Sequence, residues 1–188
     1  CFSVIKKIKQ ALVTCLFFCC CSLSSFAQCP PNIDFEEGTF NNWQCWSQVG
    51  YTGGPPNTVL TAPVAGRHDM LSNPPGNGRD FYGNFPKNCP NGSGHSVKIG
   101  NEVTGTTADE VSYTFTIPAG VNVYNLIYHY AIVLNDAGHA AFQQPRMIIS
   151  VINVTDNTPL PCPLPPIVVD GSLPGFFDSP NRAPNGSL

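Results

Sequence analysis

Four histidines, twelve carboxylates and a sparse set of aromatic side chains are the residues here that could do chemistry. His68 precedes Asp69, and His139 shares a loop with Asp136, pairings of the kind that serve general-base or nucleophilic catalysis. The chain has no G-x-S-x-G elbow, no H-E-x-x-H and no second histidine at ligand spacing, so no catalytic residue is assigned and the reading is non-enzymatic. His129 falls inside an apolar run and reads as a packed or hydrogen-bonded strand residue; His139 reads as a brace for its loop. Glu36, Glu37 and Asp156, helped by loop carbonyls, could hold a structural calcium if first and late strands adjoin, since calcium takes six to eight oxygens. The competing reading pairs Glu36 or Glu37 with Arg146 or leaves them in solvent. Trp46, Tyr51 and Tyr82 are the candidates for stacking on a glycan, with Phe81 beside them. The spacing of Trp43 after the first strand suits a core anchor instead.

These residues need a scaffold, and the start of the chain says where it is built. Lys6, Lys7 and Lys9 precede an apolar run over residues 11–23 and the small-residue stretch Ser24-Ser25-Phe26-Ala27. That is the pattern of a secretory signal peptide over residues 1–27, cut after Ala27, and it is too short for a stable membrane span of about 20 apolar residues. Gln28 before Cys29 is not the small residue of a lipid-attachment site. The opening residue is Cys1 rather than Met, which reads as a clipped start. Export leaves Cys29, Cys45, Cys89 and Cys162, an even set that reads as two disulfides in an oxidising compartment. Three connectivities are open. The favoured one joins Cys45 to Cys89 and Cys29 to Cys162, and closing the first loop would contribute about 4 kcal/mol. Zinc is the weaker alternative, because no C-x-x-C or H-x-x-x-H spacing remains.

After removal of the leader, six basic residues face twelve acidic ones, a net charge of −6 that makes nucleic acid a poor partner. Only 11% of the 188 residues are charged, while 17 Gly and 19 Pro punctuate the chain and 42% are hydrophobic. That balance excludes helical bundles and coiled coils and fits an exported β-rich domain. Val111, Tyr113, Phe115 and Ile117 alternate with polar residues and predict a strand with one buried face. Residues 123–134 are apolar on both phases and predict a central strand covered on both sides. A third long strand is expected over 147–155. Shorter ones are expected at 33–37, 43–49, 59–61, 80–85, 96–99 and 167–169. The Gly- and Pro-rich stretch 50–94 otherwise reads as loops. The fold class is therefore all-β, an antiparallel β-sandwich or jelly roll.

Several motifs resemble one family in order and spacing. Asn32-Ile33-Asp34-Phe35-Glu36-Glu37-Gly38 followed by Trp43 looks like the first strand of an N-x-D-F-E-x-G jelly-roll module. His95-Ser96-Val97-Lys98-Ile99-Gly100-Asn101 and Ala108-Asp109-Glu110-Val111-Ser112-Tyr113-Thr114-Phe115 look like its middle. Tyr128-His129-Tyr130-Ala131, Gly138-His139 and Gln144-Pro145-Arg146, with a strand ending at Asp156, are similar to its later part. Together they resemble the N-terminal module of large exported surface proteins of gliding bacteria. Such proteins often continue into PKD or other immunoglobulin-like repeats and end in a gliding-motility-associated sorting domain read by type IX secretion.

The resemblance implies a secreted or cell-surface module of adhesive or structural role, directed by its leader and by a sorting domain outside this chain. The alternative is a carbohydrate-binding module attached to a secreted hydrolase. Partners would be a glycan or another surface ligand and the secretion machinery. Gln143 stands where relatives often carry an acid, which weakens an acidic role there. Asn91, Asn153 and Asn185 open N-x-S/T sequons that a bacterial source makes uninformative. The Pro-rich segment 157–188, with Ser172-Leu173-Pro174-Gly175-Phe176-Phe177-Asp178-Ser179-Pro180, resembles a segment inside these modules. A domain over 28–188 would then be incomplete at Leu188, and its inner apolar positions would lie uncovered.

Overall fold

A computed structural model describes residues 29–51, 55–72, 78–103, 105–121, 123–136, 138–161, 165–169 and 174–181. The chain divides into two units, 1–30 and 31–188, and the second carries every assigned strand. The expected signal peptide lies outside the described residues. Those residues form an all-β structure with antiparallel pairings throughout and no helix, so none is long and apolar enough to cross a membrane.

Among the described residues nine strands form four small sheets. β1 (Trp43–Val49) lies between β2 (Val59–Thr61) and β5 (Thr107–Tyr113), β3 (His68–Ser72) pairs with β4 (His95–Ile99), β6 (Arg146–Met147) with β9 (Ile167–Val168), and β7 (Val151–Asn153) with β8 (Thr158–Leu160). Along β1 the register sets Cys45 opposite Thr61 and Val111, and Ser47 opposite Val59 and Asp109. Cys45, Ser47 and Asp109 therefore share one face, and it is the buried one. Trp46 belongs to the other face, opposite Leu60 and Glu110.

A turn precedes β1 and fixes its entry. Asn32 is fully buried, donates through Nδ2 to the carbonyls of Thr39 (3.0 Å) and Asn41 (2.7 Å), and accepts from the Glu37 amide. Trp43 Nε1 donates to the Asn32 carbonyl at 2.7 Å, Phe35 stacks on the Trp43 ring at 4.3 Å, and Tyr113 meets it edge-on at 5.1 Å. Phe35 has φ of 59°, rare for a bulky residue, and that stack holds it there. Gly38 follows at φ 63°, where a Cβ would stand 2.8 Å from His95 Cε1. Trp43, half-buried, thus ties this turn to β1 and β5.

The expected strands at 43–49, 59–61 and 167–169 form nearly as read, and that at 96–99 forms one residue longer. The expected strand at 33–37 is the turn around Asn32, and residues 80–85 are a turn closed by the Arg79–Pro86 bridge. β3 falls inside the Gly- and Pro-rich stretch 50–94 that reads as loops, and the residue it buries is a histidine. The strand expected from 111 begins at Thr107 and ends at Tyr113. The 147–155 stretch breaks into β6 and the β7–β8 hairpin, whose turn is held by Asp156 Oδ1 accepting from the Thr158 amide. Residues 123–134 correct the reading most: they carry no ladder partner among the described residues, and their apolar side chains are largely exposed. A two-sided strand needs paired strands on both sides, and none is paired with them among the described residues.

The Pro-rich end is integrated. The Val169 amide donates to the Pro145 carbonyl, Ser179 Oγ to the Tyr82 carbonyl at 2.8 Å, and Asn181 Nδ2 to the Phe81 carbonyl. Asn32→Ala removes three bonds to backbone groups around a buried side chain. It should lower unfolding free energy in urea melts by about 2–4 kcal/mol, well beyond a typical surface change.

Candidate functional site

The described residues bring three chemically capable side chains together on the buried face of the central sheet. Arg67 closes the turn before β3, His68 opens that strand, and Asp109 points inward from β5. Asp109 is 3% exposed at its side chain, and the His68 ring is fully buried. Arg67 Nε donates to Asp109 Oδ2 at 3.0 Å, and its Nη2 donates to the Gln48 carbonyl at 3.0 Å. Nη2 also lies 2.7 Å from Asp109 Oδ1, close but off the hydrogen-bond line, so charge rather than an aligned bond holds that oxygen.

His68 is engaged at both nitrogens. The Val64 amide donates to Nδ1 at 3.2 Å, which leaves the proton on Nε2, 3.1 Å from the Trp46 carbonyl. Asp109 Oδ1 is 4.0 Å from Nε2. A general base needs a free nitrogen facing a substrate, and this ring has none. Asp69, next to His68 in sequence, instead accepts from the Gly66 amide through Oδ1 at 2.7 Å. Asp136 Oδ1 accepts from the Gly138 amide and Gln144 Nε2, while His139 is exposed. His129, expected to be packed, is exposed as well.

A second polar cluster centres on Glu102. Lys98 Nζ donates to Oε1 at 2.8 Å and the Tyr82 hydroxyl to Oε2 at 3.1 Å. The Lys98 hydrogen bond, against a weaker opposing effect of partial burial, holds the Glu102 carboxyl below its ordinary 4.5. Burial pushes the Tyr82 phenol up, and the bond to Glu102 adds to it. Tyr82 is only 8% exposed, which corrects its reading as a glycan platform: its ring packs edge-on with Phe81, and Asp80 Oδ1 caps its amide.

Of the other glycan candidates, Tyr51 is half-buried with its amide bonded to the Thr106 carbonyl, and only Trp46 belongs to a sheet face. Its Nε1 donates diagonally to Ser112 Oγ at 2.8 Å, which lays the indole across β5. Glu110 and Gln48 share that face, Glu110 accepting from Thr58 Oγ1 and Gln48 Oε1 from the Asn57 amide. A shallow groove of ≈ 450 Å³ runs along the β1–β2 end, lined by Ser47, Gln48, Val49, Asn57, Val59 and Thr61.

The calcium candidates are not gathered. Glu36 accepts from the Asn32 amide, Glu37 from Thr39 Oγ1 and Asn41 Nδ2, and Asp156 caps the β7–β8 turn. Arg146 donates to the carbonyls of Gln144 and Ala141, not to Glu36 or Glu37. No group of three or more His, Cys, Asp or Glu side chains able to hold a metal occurs among the described residues. Cys29, Cys45 and Cys89 are free thiols in the structure, so Cys45 and Cys89 are not joined. Cys45 is shielded in mid-strand on the buried face of β1, and burial raises its thiol pKa. Cys162 lies outside the described residues.

Sequence reasoning missed Arg67 and Asp109 as partners. The available signal was a lone arginine in a nearly charge-free region, since Arg67 is the only basic residue between Lys9 and Arg79. Comparison with family models, curated proteins and solved structures finds no match to this chain.

Arg67→Ala strands the Asp109 charge and should cost about 3–5 kcal/mol in urea denaturation. Replacing both partners, Arg67→Met with Asp109→Leu, should cost less than either single change. Glu102 contributes above its unfolded value of 4.5 and loses that contribution as pH falls through its lower folded value. Because Glu102 is half-exposed, the effect is a few tenths of a kcal/mol. Urea melts at about pH 7 and pH 3 should therefore show a slightly larger acid loss in the unsubstituted chain than in Glu102→Gln.

Proposed function

We propose that this chain is an exported, non-enzymatic cell-surface module of a larger modular protein, with a jelly-roll β-sandwich and an adhesive or structural role. It would reach the surface through its leader and the secretion machinery. One observation carries the non-enzymatic reading: the side chains best able to do chemistry, Arg67, His68 and Asp109, have their polar atoms engaged by backbone carbonyls, a backbone amide and one another. The motif residues that carry the family resemblance are likewise architectural, with Asn32, Phe35 and Gly38 building the entry turn and Asp109 the buried pair.

A second reading, saccharide binding, is favoured by Trp46, an indole laid across a sheet face beside Glu110, Gln48 and Ser112. Aromatic rings ringed by polar side chains suit sugars, which present apolar C–H faces and hydroxyl edges.

Beads coupled to the full chain should be retained on bacterial envelopes, while assays for glycoside, ester and peptide hydrolysis show no turnover. Hydrolysis abolished by His68→Ala or Asp109→Asn would overturn the reading. Retention confined to immobilised polysaccharide, and lost in Trp46→Ala without a change in melting temperature, would favour the second one.

A further inference from the structure

Three asparagines in the chain precede a glycine, Asn77, Asn91 and Asn185, and of these Asn91 alone is described together with its glycine. The pair lies exposed in the turn that leads into β4, with Gly92 at φ 90° and open space where its Cβ would stand. Among the described residues no hydrogen bond holds the Gly92 amide. The Asn91 side chain, in contrast, is fixed at both ends. Its Oδ1 accepts from the Ser93 amide at 2.9 Å, and its Nδ2 donates to Asp34 Oδ2 at 2.9 Å.

We propose that Asn91 is a site of self-modification, where attack by the Gly92 nitrogen converts the side-chain amide to a carboxylate and unties the entry turn from β4. The Gly92 nitrogen gives up its proton to solvent hydroxide and bonds to Asn91 Cγ. The Cγ–Nδ2 bond breaks, and Nδ2 leaves as ammonia after taking a proton from water. Water then opens the cyclic imide at either carbonyl, leaving aspartate or its β-linked isomer at position 91. One water is consumed and one ammonia released, with no change of oxidation state.

Three features favour attack here. Glycine has no Cβ to obstruct the approach of its nitrogen. The Ser93 amide already donates to the oxygen on which negative charge develops as the new bond forms. The Asp34 carboxylate already accepts from the nitrogen that must leave, and it stabilises the positive charge gained on protonation. Asn153 is an internal comparison. It too is exposed, and its Oδ1 accepts from the amide two residues on at 3.1 Å, but the branched Cβ of Val154 crowds the same approach.

The consequence is structural. Asp34 belongs to the turn built around Asn32, and its bond to Asn91 ties that turn to the start of β4, where Gly38 also stands close to His95. A carboxylate in place of the amide removes the donor and meets Asp34 with like charge. No lysine or arginine pairs with Asp34 among the described residues. The change is one-way, so it accumulates with the age of the chain.

The full chain, held in warm, mildly alkaline buffer and followed by peptide mass spectrometry, should convert at position 91 several-fold faster than at Asn153. Aspartate and the β-linked isomer should both appear, the mark of an imide intermediate. Asn91→Asp should lower the melting temperature by about 2 °C and speed hydrogen exchange over residues 34–43. Combining it with Asp34→Asn again sets a donor against a carboxylate and should recover both. Conversion at 91 no faster than at 153, conversion without the β-linked isomer, or a double variant as loosened as Asn91→Asp would each overturn the proposal.

Discussion

The guanidinium of Arg67 touches the Asp109 carboxylate and the carbonyls of Gln48 and Ala108, and those last two residues stand opposite each other in the β1–β5 ladder. One largely shielded cation therefore grips both strands at a single register point. His68, the next residue, bonds the Trp46 carbonyl two positions along β1, so the start of β3 is held to the same ladder. Sliding β5 by one residue would turn Asp109 to the opposite face and leave Arg67 buried without its counter-ion. An unpaired buried charge costs several kcal/mol, more than an isolated strand pair of this length supplies. The relation of β3 and β4 to the central sheet rests on that constraint.

This weight on polar contacts follows from how little apolar side-chain surface is fully covered. Among the described residues only Cys45, Tyr82 and Val169 are buried hydrophobics, against buried Asn32, Ser47, His68 and Gln144. Directional bonds substitute for packing. Asn32 gathers the entry turn, and Asp80, Asn91, Asn153 and Asp156 each accept an amide two residues on, setting tight turns in a chain full of glycine and proline. Strands of two to seven residues joined in this way make local structure without a deep core.

The distribution of chemistry is accordingly inverted. The ionisable cluster that would attract a catalytic reading is shielded and held by hydrogen bonds and charge, while aliphatic and aromatic side chains of the 123–135 segment are outside. Among the described residues, exposed apolar side chains and a sheet face carrying Trp46 are turned to the surroundings. Adhesion, structural assembly and sugar recognition all use surfaces of that kind, and none needs a reactive group.

Local patterns were legible where the physics is local. The short strands at 43–49 and 59–61 and the all-β class follow from local residue types and turn residues, and the structure has them. What escaped depends on partners distant in the chain. Nothing near His68 announces that its strand pairs with 95–99, or that Asp109 rather than Asp69 is the carboxylate beside it. Tyr82 looks like a surface aromatic in a loop until the 174–181 segment and Glu102 close over it. The two-phase hydrophobicity of 123–134 correctly marks a segment that favours burial, but period measures appetite for a partner, not its presence. Composition and spacing by themselves determined that the described chain is built of short antiparallel strands and turns. Tertiary structure alone decided which carboxylate meets the arginine, which aromatic is covered and which apolar run is left open, because those outcomes depend on contacts between residues tens of positions apart.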